Sequence, residues 1–293
     1  MALPTFKTQP LIAPQQPRLL AAPMQYDAQY QEQYSNALRL YFNQLQNFNQ
    51  LFTTETGGAL LRFPNGAFHQ DGTTTLTGSM TNVSTTPIQV ASTALFESAG
   101  HLLIGTELVA YTGKTSTTFT GITRGVYGTT NTSHSIGDAV TEALGVASST
   151  SSIAIPFDST DVSNGVSIDT LDNTKVVFAV AGYYNIQFSA QLLNFTTTDD
   201  NVTFWWKQNG TDVAYSAGIQ AVPSKHGSSA GAAIVSWNIV LPINANDYIQ
   251  LYFASESGNT VTATYPAGTL PVHPVSPSVI LTATFVSALF PTP

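Results

Sequence analysis

Gly113-Lys114-Thr115 carries the closing letters of a phosphate-binding loop, in which backbone N–H groups cradle phosphates and the lysine reaches them. That chemistry needs a glycine five positions ahead of Gly113. Leu108 stands there, so Lys114 reads as a β-turn residue. The five histidines, His69, His101, His134, His226 and His273, contain no pair at the i, i+4 spacing of a helical metal site, and each reads as a loop or turn residue. Asp199-Asp200-Asn201 is an oxygen-rich stretch of the kind that holds calcium, but it lacks EF-hand spacing and reads as a solvated connection before a strand. Paired carboxylates could hydrolyse glycosides. The candidates Glu97, Glu107, Glu142, Asp158, Asp161, Asp169 and Glu256 are scattered through turn-rich segments, and nothing marks an acid facing a nucleophile. Serine-hydrolase chemistry is equally unsupported. These readings predict no catalytic residue, no metal, no cofactor and no enzymatic activity.

Binding chemistry has better candidates. Trp205, Trp206 and Trp237 could stack on sugars, but Trp206 and Trp237 share the apolar parity of their strands and belong in a core. Trp205 has the outward parity, which suits a subunit contact or a ligand. The polar stretch Gly218–Gly231 reads as a long loop, and Ser224, Lys225 and His226 in it join Trp205 as candidate host-contact residues.

The elements that would position these groups follow from composition and pattern. Charged residues are 9% of the 293-residue chain, against about 25% in an ordinary soluble protein, while hydrophobic residues are 43%. Nine Lys+Arg against seventeen Asp+Glu give a net charge of −8, which argues against nucleic-acid binding. No apolar run is long enough to span a membrane. There is no cysteine, so disulfides and thiolate metal sites are excluded. Residues 1–24 hold Pro4, Pro10, Pro14, Pro17 and Pro23 with apolar residues between them; the segment lacks the apolar core of a secretory signal and reads as an extended arm.

Within 25–56, Tyr34, Leu38, Tyr41, Leu45, Phe48 and Phe52 alternate at spacings of four and three. That heptad seam predicts a helix over 26–52, about 40 Å long, stopped by Gly57-Gly58. Its aromatic knobs suit a three-helix bundle. Residues 57–78 read as a connector with a turn at Pro64-Asn65-Gly66 and a Thr-rich strand over Thr73–Thr77. Short strands at about ten-residue spacing over 79–147 indicate a small inserted β-module. In 148–293, period-2 alternation recurs: Tyr184, Ile186, Phe188, Ala190 and Leu192 share one face, with like runs around Trp206, Trp237, Leu251 and Leu281, and Asn209-Gly210 marks a hairpin. This predicts a sandwich or jelly roll.

The run Phe178 to Phe188, with Phe178, Gly182, Tyr184, Ile186 and Phe188 as its signature, resembles the strand signature of tumour-necrosis-factor and complement-type globular heads. That resemblance implies a ten-stranded jelly roll assembled as a tight trimer, often on a helical or fibrous stalk. Three further segments, Leu61–Phe68, Phe157–Val166 and Lys207–Tyr248, resemble virion structural proteins of marine tailed bacteriophages, cyanophages included. In those proteins the first segment leads straight into the second, which marks 79–147 as inserted. The insertion, with Glu107, Tyr111-Thr112-Gly113, Arg124-Gly125 and His134, resembles a small module of other phage tail and fibre proteins.

The expectation is therefore a mainly β, homotrimeric virion protein on the tail or capsid surface. It would attach through the arm 1–24 to other virion proteins, form a stalk from 25–56, and present the jelly-roll head 148–293 to a host polysaccharide or receptor, with no nucleic acid and no membrane insertion. The alternatives are a capsid-attached head fibre or decoration protein and, from another class, a polysaccharide-degrading spike.

Overall fold

The computed structural model describes residues 14–19, 21, 23–53, 63–146, 148–269 and 272–289. Most of the arm, the Gly57-Gly58 stop and the side chain of Phe52 lie outside the described residues. The chain divides into two compact units, Met1–Phe63 and Pro64–Pro293.

The first unit holds one helix, α1 (Ala28–Thr53). Asp27 caps it: its Oδ1 accepts from the N–H groups of Gln29 at 2.8 Å and Tyr30 at 3.3 Å, satisfying donors that the first turn leaves unpaired. Tyr34, Leu38, Tyr41, Leu45 and Phe48 are half-buried along one stripe with Tyr30 and Ala37. No helix side chain that is described is buried. Leu40 and Phe42 lie outside the stripe and are exposed.

From Pro64 onward the chain is β-structure. Strands β1 (Asn65–Gln70) and β2 (Thr73–Thr75) open it. Five short strands follow: β3 (Ile88–Gln89), β4 (Gly100–Ile104), β5 (Glu107–Tyr111), β6 (Gly113–Lys114) and β7 (Thr118–Thr120). Next come β8 (Ala139–Gly145), β9 (Ile153–Ala154), β10 (Ser159–Asn164), β11 (Val166–Ile168) and β12 (Val176–Phe178). Then β13 (Gly182–Asn194), β14 (Asp200–Gln208), β15 (Thr211–Asp212), β16 (Gly218–Val222) and β17 (Gly231–Ile243). The chain ends with β18 (Tyr248–Ser255), β19 (Thr260–Ala263), β20 (Gly268–Thr269), β21 (Val272–His273) and β22 (Val279–Ser287).

Two antiparallel sheets dominate. One runs β10-β1-β22-β13-β19-β8-β4-β5, with β17 on the other side of β13 and β2 on β8. The second runs β11-β12-β18-β14-β15, with β16 beside β14 and β9 beside β18. Their inward residues meet in one core. The five signature residues are all buried there or line it: Phe178 and Tyr184 have ring centroids 4.6 Å apart, and Phe188 packs against Phe204, Trp206 and Trp237. Gly182 is required by a close approach, since a Cβ there would lie 2.3 Å from the ring of Phe285.

The segment 79–147 builds a separate core of Phe96, Leu102, Tyr111, Phe119 and their neighbours, to which Leu76 just ahead of it contributes. Its last strand, β8, also belongs to the large sheet through β19. A third cluster around Leu108, Leu193, Phe195 and Val261 packs residues of the segment against β13 and β19.

Two local expectations are corrected and a third holds. Pro64-Asn65-Gly66 is the entry to β1, because Asn65 and Gly66 pair with Asn164 and Ser163 across 98 residues that turn propensity does not see. Gly218–Val222 is strand β16 on the edge of β14, so the loop shrinks to 223–230. Asn209-Gly210 is a hairpin turn as read, with φ of 50° and 80° joining β14 to β15.

Candidate functional site

The outer face of β17-β13-β22 is the most distinctive surface of the second unit. None of these strands contains a charged residue. Register places Ser236, Ser189 and Ile280 in one outward row, Asn238, Gln187 and Thr282 in the next, then Val240, Asn185 and Thr284. Asn238 Nδ2 donates to Asn185 Oδ1 at 3.0 Å. Ile234 is 70% exposed and Val286 57%. An open trough of about 500 Å³ runs between Gln187, Ser189, Trp237, Asn238, Ile280 and Thr282. Among the described residues strand β17 pairs only with β13, so its other edge has no strand partner, and on it Pro242 O accepts from Gln208 Nε2 at 3.1 Å.

The outer face of the second sheet is different. Trp205 lies opposite Tyr252, ring centroids 5.5 Å apart, and its Nε1 donates to Asp212 Oδ1 at 2.8 Å. Lys207 Nζ sits 4.4 Å above the Tyr252 ring and 3.4 Å from Asp212. Lys175 covers Tyr248 in the same way at 4.9 Å. Trp205 is thus outward, as its parity required, and held in place by its neighbours.

The other three contact candidates share the loop after β16. Ser224 N–H donates to Asp199 Oδ1 at 2.8 Å, Lys225 N–H to Thr196 O at 2.8 Å, and His226 and Ser229 close a tight turn. His226 is exposed and Lys225 half-buried. Gly227-Ser228-Ser229-Ala230-Gly231 matches the letters Gly-x-Ser-x-Gly. The match sits in this exposed turn leading into a strand, not on a strand-to-helix elbow, so the backbone gives Ser229 none of the motif's geometry. Sequence reading passed over Tyr215, which is fully exposed with φ of 61°.

The scattered acids fall into separate structural duties. Glu107 is fully buried and held by Arg124, whose Nε donates to Oε1 at 2.5 Å and whose Nη2 donates to Oε2 at 2.6 Å. The other guanidinium N–H groups reach the carbonyls of Thr81, Ser84 and Thr132. His134 Nε2 lies 2.9 Å from Glu107 Oε2. Burial pushes the Glu107 carboxyl up, but hydrogen bonds from Arg124, Thr132 and His134 outweigh it and hold the group below its usual range. The motif residues of the inserted segment therefore form a clasp that gathers its loops.

Asp200, expected in a solvated connection, is buried instead. Ser255 and Thr260 hydroxyls donate to it at 2.6 Å each. Burial raises its pKa, yet these bonds and the Ser257 N–H bring it below normal. Glu142 is 2% exposed and bonded to Gln70 Nε2 at 2.9 Å and Glu97 N–H at 3.2 Å. Burial, with the nearby Glu97 and Asp158 carboxylates, pushes it up to about 8. Asp161 pairs with His69 at 3.1 Å, Asp169 caps a turn at Leu171 and Asp172, and Glu256 accepts from Asn201. No carboxylate lines the trough on the first sheet. The histidine expectation is corrected in part: His69, His101 and His273 lie in strands, whereas His134, though buried, and His226 lie in connections between strands. Among the described residues no group of His, Asp and Glu is placed to hold a metal ion. Among the same residues, no helix is long and apolar enough to cross a membrane.

No protein-family model matches the chain, and no curated protein matches it at a significant level.

Proposed function

We propose that this chain is a non-enzymatic structural protein of a tailed-bacteriophage particle, a homotrimer with an adhesive jelly-roll head. The observation that carries the reading is the charge-free outer face of β17-β13-β22, bounded by the open edge of β17. A long uncharged edge strand beside exposed Ile234, Val240, Ile280 and Val286 is a surface that a lone soluble subunit would blunt with charge. Copies of the chain packed around a common axis remove it from water.

Two further observations support the architecture. Ten strands fall into β10-β1-β22-β13-β17 and β11-β12-β18-β14-β16, and the chain alternates between these sheets from β12 to β13, β16 to β17 and β18 to β22, as a jelly roll does. The helix carries its half-buried stripe at heptad spacing with no described side chain buried on it, which suits a three-helix stalk. Residues 1–24 then anchor the trimer to other virion proteins. The three heads bind a host polysaccharide or receptor multivalently, which raises avidity without a tight single site.

Sedimentation or light scattering on the full chain tests the reading. A mass of about three times 31.2 kDa is expected. A well-folded species of 31.2 kDa would overturn it. Antibody against 148–293 should label the tail of intact particles, and label confined to the capsid would reassign the protein to the shell.

A further inference from the structure

The last residue of the first strand and the residue before the last strand meet in a dry, unusually complete arrangement. Gln70 ends β1 and pairs with Val279, the first residue of β22. Ser278 N–H donates to Gln70 O at 3.0 Å, fixing the two backbones together. The Ser278 hydroxyl donates to the side-chain oxygen Oε1 of Gln70 at 2.6 Å. The side-chain nitrogen Nε2 of the same Gln70 donates to Glu142 Oε2, on β8, at 2.9 Å. Gln70 is 1% exposed, Ser278 0% and Glu142 2%, and the fully buried Thr264 adds its hydroxyl beside Gln70 O.

A serine bonded to a glutamine is ordinary. A carboxyl group at the nitrogen of that same amide is what turns the pair into a reaction centre: a nucleophile, an electrophilic carbon one bond from Oε1, and an acid at the leaving group. We propose that Ser278 and Gln70 are the site of an autocatalytic ester cross-link that ties the first strand of the sandwich covalently to its last.

The step balances without any outside reagent. Rotation of the amide about its Cγ–Cδ bond turns the face of Cδ toward Ser278 Oγ. The Oγ–Cδ bond forms as the serine proton passes to Oε1, giving a neutral tetrahedral adduct. With Cδ tetrahedral and the N–H contact to Glu142 Oε2 released by the rotation, the nitrogen carries a basic lone pair; Glu142 gives its proton to it, the Cδ–Nε2 bond breaks, and ammonia leaves. The proton on Oε1 returns to Glu142 as the carbonyl re-forms. An amide and an alcohol have become an ester and ammonia, and Glu142 is regenerated.

Each part of the setting favours that outcome. Burial keeps Glu142 protonated at neutral pH, so it is poised as an acid rather than a carboxylate. Strand pairing holds nucleophile and electrophile together, which replaces the entropy of a bimolecular encounter. Exclusion of water protects the ester from hydrolysis. The consequence is a strap closing the sandwich between segments 208 residues apart, in line with the strands that pulling on both ends of the unit would load first.

Intact mass of the purified full chain tests the proposal. The wild type should be about 17 Da lighter than its sequence, the mass of one ammonia. Asn65-Gly66, Asn164-Gly165 and Asn209-Gly210 can also lose ammonia by cyclising, so the deciding observation is a joined peptide. Trypsin cuts after Arg62, Lys114 and Lys225, and the cross-link joins fragment 63–114 to fragment 226–293 until hydroxylamine separates them. Ser278→Ala should yield the two fragments unjoined, and Glu142→Gln should slow joining at least about a hundredfold, the low end of the range for a lost general acid. Unjoined fragments from the wild type would overturn the cross-link. Joining at an unchanged rate in Glu142→Gln would overturn the part assigned to Glu142.

Discussion

Neutralising Glu142 should remove a specific pH dependence from stability. Its carboxyl, ordinarily near 4.5, is pushed up to about 8 in the folded chain by burial and the nearby Glu97 and Asp158 carboxylates. Below pH 4.5 both states hold the proton, and the folded state has its full advantage. As pH rises, the unfolded chain releases the proton while the folded chain must keep it, so stability falls until pH passes about 8. At about 1.4 kcal/mol per pH unit, the loss between pH 5 and pH 8 is about 4 kcal/mol. Glutamine mimics the protonated acid in shape and charge. One of its contacts, to Gln70 Nε2 or to Glu97 N–H, becomes mismatched, an offset of about 1 kcal/mol that does not vary with pH. The comparison is made in a Ser278→Ala background, so that no covalent strap alters the unfolded state. Urea unfolding at pH 5, 6, 7 and 8 is followed by tryptophan fluorescence. The Glu142 protein should lose about 4 kcal/mol more than its glutamine counterpart across that range. His101, whose imidazole burial lowers, titrates in both proteins and cancels in the difference, whereas the nearby Asp158 carboxylate enters through its effect on Glu142. Parallel stability curves for the two proteins would refute the reasoning.

Three other outcomes follow from the same structure. Ile234→Lys with Ile280→Lys places cations on the blank face and should shift the species seen by sedimentation from trimer to monomer while leaving the circular dichroism unchanged. Arg124→Ala strands the buried Glu107 carboxylate and should destabilise the inserted segment by about 3–5 kcal/mol, read by thermal melting, whereas Arg124→Met with Glu107→Leu should recover much of that loss. Gly182→Ala drives a methyl against Phe285 and should lower stability by about 1–3 kcal/mol, read by urea unfolding.

What the sequence disclosed was what short-range pattern encodes. Period-2 alternation placed Tyr184, Ile186 and Phe188 inside and Trp205 outside, because side-chain direction in a strand is fixed by parity alone. Asn209-Gly210 named its own turn, because few residues accept two successive positive φ values. The helix α1 declared itself by spacing, and its observed bounds lie within two residues of those expected. Partnership across the chain was not legible. Glu107, Arg124 and His134 stood out as a motif, but their mutual contact is made by loops that only the folded sheet brings together. Asp200 looked solvated because its neighbours are polar; the hydroxyls that bury it arrive from Ser255 and Thr260. Gln70, Ser278 and Glu142 carry no local signal at all, since a lone polar residue at a strand end is commonplace until its partners are known.

The distribution of cations sharpens the case for assembly. From Pro64 onward the chain has five: Lys114, Arg124, Lys175, Lys207 and Lys225. Two are turned inward. Arg124 is almost fully buried on Glu107, and Lys114 Nζ is engaged by the carbonyls of Thr93 and Phe96. Lys175 and Lys207 stand on the outer face of the second sheet, and Lys225 in the loop beyond β16. The outer face of β17-β13-β22 receives none, and no acid either. A low overall charge by itself would leave every surface thinly charged. Instead one sheet face carries paired lysines and acids, which suits contact with water or a polar ligand, and the opposite face carries amides, hydroxyls and branched aliphatics, which pack against protein without a desolvated ion to compensate. Sorting of that kind suits the trimer proposed above, whose inner face would then be the sheet that carries β17 at its edge.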